Sequence, residues 1–386
     1  VMKARHIFMK IKIFKEVLDE IRENGKGVSA VYGFACAGAA AVLTASAEKG
    51  AAAGWIKIGA LCADGGFEAA AGLLSENDGD KTIIEIENDY YGKLTSRTSS
   101  ILNGLLKGKR VGFVGTGASI NLIKSCARSG VDKFSLWDFD IVEEANIGRT
   151  AYELKDCGMS KTASARRHIL EINPFCDVKI FDGDFMALAE DEIKNEFKEC
   201  DVIVMGTDAQ KVQLRGNEIG YALGKKMVFP GFYNKAAGGE IVVVTPGGPC
   251  YKCIVPSRFS EGENSTEAAE NGVDGENRKA AADLKGESGL IFDCDHLDSM
   301  VGKIVCALIC EGDSPALRGL YEFVRTHGLI LSKHASDFNI DGADYFRDCL
   351  GDNPLFYAYQ TMWLDTAESR SGNCGVCGKK HENIEK

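Results

Sequence analysis

Positive charge is in short supply, with 45 Lys and Arg against 56 Asp and Glu in 386 residues and a net charge of −11. Tight non-specific binding to nucleic acid needs a basic surface that neutralises phosphates, so that class of function is not expected. Long runs of large apolar side chains are missing too. The uncharged stretch 28–47 is long enough on paper to span a bilayer, but it is mostly Ala, Gly and Ser. It therefore reads as a small-residue core segment, and no membrane span is expected. Residues 1–15 alternate apolar and basic side chains without the apolar centre or small-residue cleavage site of a secretory leader. Export is not expected, and the 14 cysteines are expected as reduced thiols in the cytoplasm.

What is present is an ordinary globular composition, 45% apolar and 26% charged, over a length that suits one large or two moderate domains. The fold class expected is α/β. Short β-branched or aromatic runs at 111–114, 133–137, 177–181 and 202–205, separated by helical stretches, predict βαβ units and a mainly parallel, Rossmann-like sheet. A further strand is predicted at 240–245, and a buried helix at 296–310. These elements define a second unit, residues 86–386, after a smaller N-terminal unit, residues 1–85, whose role the sequence does not disclose. Within the second unit, residues 257–290 are acidic, polar and glycine-punctuated and read as a crossover loop.

Two local patterns carry chemistry. Gly115-Thr116-Gly117-Ala118-Ser119 follows the first strong strand and opens a helix, where backbone amides and a helix N-terminus can cradle phosphates. The next strand ends at Asp138, two residues before Asp140, and a carboxylate at a strand tip can accept hydrogen bonds from ribose hydroxyls. The same pair of features also describes dinucleotide binding, so an NAD-dependent dehydrogenase is one alternative. The second pattern is Cys250-x-x-Cys253 and Cys374-x-x-Cys377. Four thiolates in two such hairpins match the closed tetrahedral shell of structural zinc. A zinc ion there would clip the tail, residues 370–386, to the preceding domain, whereas a redox pair is the competing reading.

The ordered series Asp138-Phe-Asp140-x-Val-x-x-x-Asn146-Ile-Gly-Arg149, Lys161, Asn173-Pro174, Gly206-Thr207-Asp208, Gly238-Gly239-Glu240 and Pro249-Cys250-Tyr-Lys-Cys253 resembles the ThiF/MoeB/HesA family, the adenylating fold of ubiquitin-activating enzymes, in its prokaryotic form. The resemblance covers roughly residues 90–310 and the tail. It implies an adenylyltransferase that uses ATP with magnesium to activate the C-terminal carboxylate of a ubiquitin-like or sulfur-carrier protein ending in glycine. By the same resemblance Arg149 and Lys161 supply positive charge, Asn146 orients the α-phosphate, Asp208 holds magnesium, Asp138 takes the ribose, and zinc occupies the four cysteines. Arg97 stands where the family has an arginine that reaches the other protomer's site, which implies a homodimer. Cys294, flanked by Asp293, Asp295 and His296, is expected to be accessible and is the candidate for a thioester-forming cysteine. A conjugating enzyme or a sulfurtransferase would be the downstream partner, and the extra N-terminal unit and long crossover lean towards a bacterial ubiquitin-like conjugation pathway. One departure is Ile120, a bulky residue where the backbone is expected to approach phosphate. It keeps open a non-catalytic adaptor of the same fold.

Overall fold

The computed structural model describes residues 10–23, 28–36, 39–53, 55–62, 67–69, 83–87, 89–256, 288–334 and 359–378. The expected crossover loop therefore lies outside the described residues except at 288–290, as do the last eight residues of the tail.

The N-terminal segment folds around its own sheet. Its elements run β1 (Lys10–Phe14), α1 (Lys15–Glu23), β2 (Val28–Cys36), β3 (Ala39–Thr44), α2 (Ala47–Ala53), β4 (Ile56–Cys62), β5 (Phe67–Ala69) and β6 (Ile83–Glu87). The spatial order is β5-β4-β2-β3-β1-β6, with β1 parallel to both β3 and β6 and the other pairs antiparallel. Most of the uncharged stretch thus forms the antiparallel strand pair β2 and β3. Among the described residues no helix is long and apolar enough to cross a membrane. Val17, Leu18 and Ile21 fall on one face of α1 at helical spacing and pack with Ile13, Val31, Val42 and Ile58.

The second sheet positions the site. It contains β7 (Arg110–Val114), β8 (Lys133–Asp138), β9 (Asp177–Asp182), β10 (Val202–Met205), β11 (Lys226–Phe232), β12 (Gly238–Val244), β13 (Leu329–Lys333) and β14 (Gln360–Leu364). The order is β14-β13-β12-β11-β10-β7-β8-β9; the five strands from β11 to β9 are parallel, and β12, β13 and β14 continue antiparallel. Every residue of β7 and β10 is buried, as expected for strands covered on both faces, which read as continuous apolar runs. The chain winds from β7 outward through β8 to β9, then returns to the other side of β7 to lay down β10 and β11. That reversal creates a crevice at the C-terminal tips of β7 and β10, the usual place for a ligand in an open α/β sheet.

Helices α3 (Tyr90–Thr95) and α4 (Ser99–Leu102) lead into β7. Those that follow are α5 (Ile120–Ser129), α6 (Glu144–Ile147), α7 (Lys161–Ile172), α8 (Glu190–Glu199), α9 (Gln210–Ala222), α10 (Tyr251–Ile254), α11 (Ile291–Cys310) and α12 (Arg318–Val324). The apolar faces of α5 and α11 share one core with β7 and β8, through Ile123, Val301, Phe113 and Phe134. The two sheets meet along α7. Phe14, Tyr90 and Phe175 form an edge-to-face triad, the Tyr90 hydroxyl donates to the Ile172 carbonyl at 2.5 Å, and Arg166 pairs with Glu48 at 3.0 Å.

The connection from α6 to α7 is held by a buried carboxylate. Asp156 is fully buried and accepts hydrogen bonds from the Glu153 amide (2.6 Å), Ser164 Oγ (2.5 Å), His168 Nε2 (2.9 Å) and Arg167. Burial alone would raise its pKa, but the Ser164, Glu153 and His168 hydrogen bonds outweigh it and hold the carboxyl below its ordinary value. A carboxyl lowered in the folded state stabilises the fold above its unfolded pKa, and that contribution is lost as the pH falls through the folded value. Asp156→Asn, which leaves Arg167 and His168 facing a neutral group, is expected to cost about 3 kcal/mol at neutral pH. In denaturant titrations the gap to the wild type should begin to narrow below about pH 4, where the unfolded carboxyl takes up its proton, and should close as the pH falls through the lower folded value. A pH-independent gap would show that the charge is not what matters.

Candidate active site

The floor of the crevice is backbone. Gly115 has φ +90°, and a Cβ there would lie 2.7 Å from the Gly206 carbonyl oxygen; a Cβ on Gly206 would lie 2.3 Å from Ser119 Oγ. Only glycine allows the tips of β7 and β10 to touch in this way. Beyond the floor the chain enters α5, two of whose first-turn amides are engaged within the chain: that of Ile120 donates to the Gly117 carbonyl at 3.5 Å and that of Leu122 to Asp298 Oδ2 at 3.2 Å. Ile120 does not obstruct the crevice. Its side chain is fully buried in the core with Leu122, Ile123 and Val301, which corrects the expectation that it would stand against a phosphate. A residue at the first helical position can turn its side chain into the core while its amide stays at the helix end.

A ring of polar contacts lines one wall. The Thr116 amide and hydroxyl both donate to Asp138 Oδ2, at 2.7 and 2.9 Å, and the Asp140 amide donates to Asp138 Oδ1 at 3.1 Å. Lys161 begins α7, is capped by Ser160, and donates through Nζ to Asp140 Oδ2 at 2.8 Å. Its side chain is only 12% exposed, and its ammonium lies 3.6 Å from the place a Cβ would take on Gly117. A glycine loop, a cation and a strand-tip acid thus converge, although they lie up to 46 residues apart in sequence, from Gly115 to Lys161. Ala118 completes the loop.

The remaining expected residues surround this wall less closely. Asn146 sits in the first turn of α6, where its Oδ1 accepts from the Glu143 amide at 2.9 Å. Arg149 follows that turn and passes beside Gly289, 3.9 Å from the position of a Cβ there. Asp208 is exposed just past the tip of β10, on a loop anchored by Gln213 Nε2 to the Thr207 carbonyl at 2.7 Å. Arg97 is exposed on the turn between α3 and α4, and among the described residues no hydrogen bond ties it to the crevice.

Cys294 is 4% exposed, against the accessibility expected from its polar neighbours. It lies on the inward face of α11, and its flanking carboxylates point elsewhere: Asp295 accepts from Asn121 Nδ2 at 2.7 Å. Burial chiefly pushes its thiol up to about 11; Arg149 opposes the rise, while Asp298, Asp293 and Asp295 add to it. Such a thiol is a poor nucleophile in this conformation.

The four CxxC thiols do come together. Their sulfur atoms lie within 4.8 Å of one another, with Cys250 to Cys374 at 3.7 Å and Cys253 to Cys377 at 3.4 Å. A tetrahedral four-thiolate zinc site with bonds of about 2.3 Å has sulfur separations of about 3.8 Å, so the donor set fits. Cys250 and Cys377 are fully buried. Cys374 accepts from the Val376 amide at 3.4 Å, and the Cys250 and Cys253 amides lie in the turn that opens α10.

Two residues at the crevice escaped sequence reasoning. Thr116, between the loop glycines, is fully buried and spends both its donors on Asp138. Tyr152 is 3% exposed and donates to the Thr116 carbonyl at 3.0 Å. Thr116 was findable from its place in the loop; Tyr152 lies in an irregular connection with no periodic signal.

Comparison with known proteins gives consistent matches. The model of the ThiF family matches residues 105–312. A probable adenylyltransferase/sulfurtransferase MoeZ of Mycobacterium tuberculosis is 32% identical over 130 residues, 33% of this chain and 32% of that protein. Ubiquitin-like modifier-activating enzyme 5 of Dictyostelium discoideum is 26% identical over 176 residues, 42% of this chain and 44% of that one. The match thus spans less than half the length of these curated relatives. Among solved structures, E. coli MccB crystallised with MccA-N7isoASN superposes with a TM-score of 0.51 at 16% identity, over 75% of this chain and 72% of that one, a likeness of fold.

Proposed function

The chain belongs to the ThiF family, and from that premise we propose that it adenylates the C-terminal carboxylate of a ubiquitin-like or sulfur-carrier protein. The observation that supports this most directly is the convergence of the Gly115–Gly117 loop, the Asp138 carboxylate and the Lys161–Asp140 pair at the crevice between the β7 and β10 tips. In the reaction a carboxylate oxygen of the carrier's terminal glycine attacks the α-phosphorus of ATP. An O–P bond forms as the bond from that phosphorus to the bridging oxygen breaks, giving a carrier acyl-adenylate and pyrophosphate. Two anions approach each other, so the barrier depends on fixed positive charge.

Each residue then has a task. The Gly115–Gly117 loop receives phosphate oxygens. Lys161, already held over Gly117, neutralises them, and Arg149 adds charge from the other side of the α6 turn. Asp138 accepts from the ribose. Magnesium, when bound, neutralises the departing phosphates, and exposed Asp208 is the residue suited to hold it. The four-cysteine cluster is assigned to structural zinc, about one per chain. With Ile120 in the core, the sequence argument for a non-catalytic adaptor loses its motive.

A thermal-shift comparison with Mg-ATP and with NAD tests the nucleotide assignment, since a ligand that binds only the folded state raises its apparent stability. Stabilisation by Mg-ATP, lost in Asp208→Ala, is expected; stabilisation by NAD alone would point to a dehydrogenase instead. Pyrophosphate exchange with small proteins ending in Gly-Gly then tests the acceptor. The Asn146-Ile-Gly-Arg149 form favours a prokaryotic type, and the extra N-terminal unit and long acidic crossover favour a bacterial ubiquitin-like conjugation pathway in the cytoplasm, with a conjugating enzyme or sulfurtransferase downstream.

The trans role of Arg97 in a homodimer makes a separate prediction. Arg97→Ala and Asp208→Ala should each be inactive alone. Mixed and re-equilibrated in equal amounts, they should recover about a quarter of wild-type exchange, because half the dimers are mixed and one of their two sites is complete. No recovery would remove the trans role.

A further inference from the structure

Asp138 is more heavily engaged than a ribose-binding acid needs to be. A carboxylate offers about four lone-pair positions. Three are occupied within the chain, by the Thr116 amide at 2.7 Å, the Thr116 hydroxyl at 2.9 Å and the Asp140 amide at 3.1 Å. One remains. Thr116 is itself held from behind, since the Tyr152 hydroxyl donates to its carbonyl at 3.0 Å and lies 3.4 Å from the Lys161 carbonyl. The contacts close a circuit from Tyr152 through Thr116, Asp138, Asp140 and Lys161 back to Tyr152. Both hydroxyl-bearing members are buried, Thr116 at 0% and Tyr152 at 3% exposure, so neither is replaced by water when a ligand leaves. Burial keeps the Tyr152 phenol protonated and therefore a donor.

We propose that Thr116 and Tyr152 are positioning residues that act through Asp138, leaving its carboxylate able to accept a hydrogen bond from one ribose hydroxyl of the nucleotide and not from both. Thr116 fills the acceptor positions that a second hydroxyl would use. Tyr152 fixes the peptide after Thr116, so that the threonine cannot turn away to admit it. The inference deepens the adenylation reading and rests on it.

The test compares binding of ATP, 2′-deoxyATP and 3′-deoxyATP, each with magnesium, to the full chain by calorimetry. In the wild type one deoxy analogue should bind within about threefold of ATP and the other at least tenfold more weakly, the loss expected for one hydrogen bond to a charged group. Thr116→Val, which keeps the shape but removes the hydroxyl, opens an acceptor position, and the two analogues should then bind within about threefold of each other. Thr116→Ser restores the hydroxyl and should restore the discrimination. Tyr152→Phe should reduce it, and this variant carries the test if the valine variant does not fold. A residue that merely packs would not change the ratio between two ligands differing in one hydroxyl. Equal weakening of both analogues in the wild type, or undiminished discrimination in Thr116→Val and Tyr152→Phe, would overturn the proposal while leaving the adenylation reading standing. No ATP binding in the wild type would overturn both.

Discussion

Replacing Cys374 with serine is expected to empty the four-cysteine site and to lower the unfolding midpoint by about 5–10 °C, the largest stability effect anticipated for a surface-proximal residue. The physical reason is the span of the link. Cys250 caps α10 and Cys253 lies within it, and this helix packs through Tyr251 against Phe229 of β11, with ring centroids 4.2 Å apart. Cys374 and Cys377 lie 124 residues further on in each pairing, in a turn whose other anchor is Arg370, donating to the Cys377 carbonyl and the Gly247 carbonyl. One metal ion would therefore close a long chain loop, which constrains the unfolded state as well as holding the tail. Elemental analysis of the wild type should give about one zinc per chain, and the serine variant none. Wild-type protein purified without metal, with its midpoint unmoved by a chelator, would rule the assignment out.

Lys161→Ala is expected to weaken Mg-ATP binding by roughly tenfold to a hundredfold, as for loss of one charge-assisted hydrogen bond to phosphate. Its effect on pyrophosphate exchange should be larger, roughly a hundredfold to a thousandfold, because fixed charge is worth most where charge is displaced in the transition state. The variant also leaves the Asp140 carboxylate, formerly 2.8 Å from the ammonium, without its cation beside the phosphates. Asp140→Asn should consequently be milder than Lys161→Ala: it removes the anchor but keeps the charge. Lys161→Arg is not expected to rescue fully, since the planar guanidinium is a poor replacement for a compact ammonium packed over Gly117. Calorimetric ATP affinities and exchange rates on the three variants, with melting curves to verify folding, decide the matter. Wild-type ATP affinity in Lys161→Ala would remove this lysine from the phosphate site.

Much of the fold was legible in the sequence because its central strands are buried on both faces. The runs at 111–114, 133–137, 177–181 and 202–205 became β7 to β10 with boundaries shifted by at most one residue, since a continuous β-branched run between turns has few other places to go. The N-terminal sheet was less readable. Ala, Gly and Ser in β2 and β3 have little β-propensity, and their pairing depends on neighbours distant in sequence. The strands β11, β13 and β14 were missed for a similar reason: each is defined by register against its neighbours, as Met227 is with Val244, Gly238 with Lys333 and Leu329 with Leu364.

The candidate site divides along the same line. The sequence by itself determined the residue types and their order: the glycine loop, the strand-tip acids, the cation after the Asn146-Ile-Gly-Arg149 turn and the two CxxC pairs, all of which depend on local geometry or on fixed coordination chemistry. Only the tertiary structure decided what each can reach. It placed the Lys161 ammonium on Asp140 over Gly117, turned Ile120 into the core, buried Cys294 and assembled Thr116 and Tyr152 behind Asp138. Those outcomes follow from how β7, β8, β10, α7 and α11 pack together, and packing between distant segments leaves no periodic trace in any one of them.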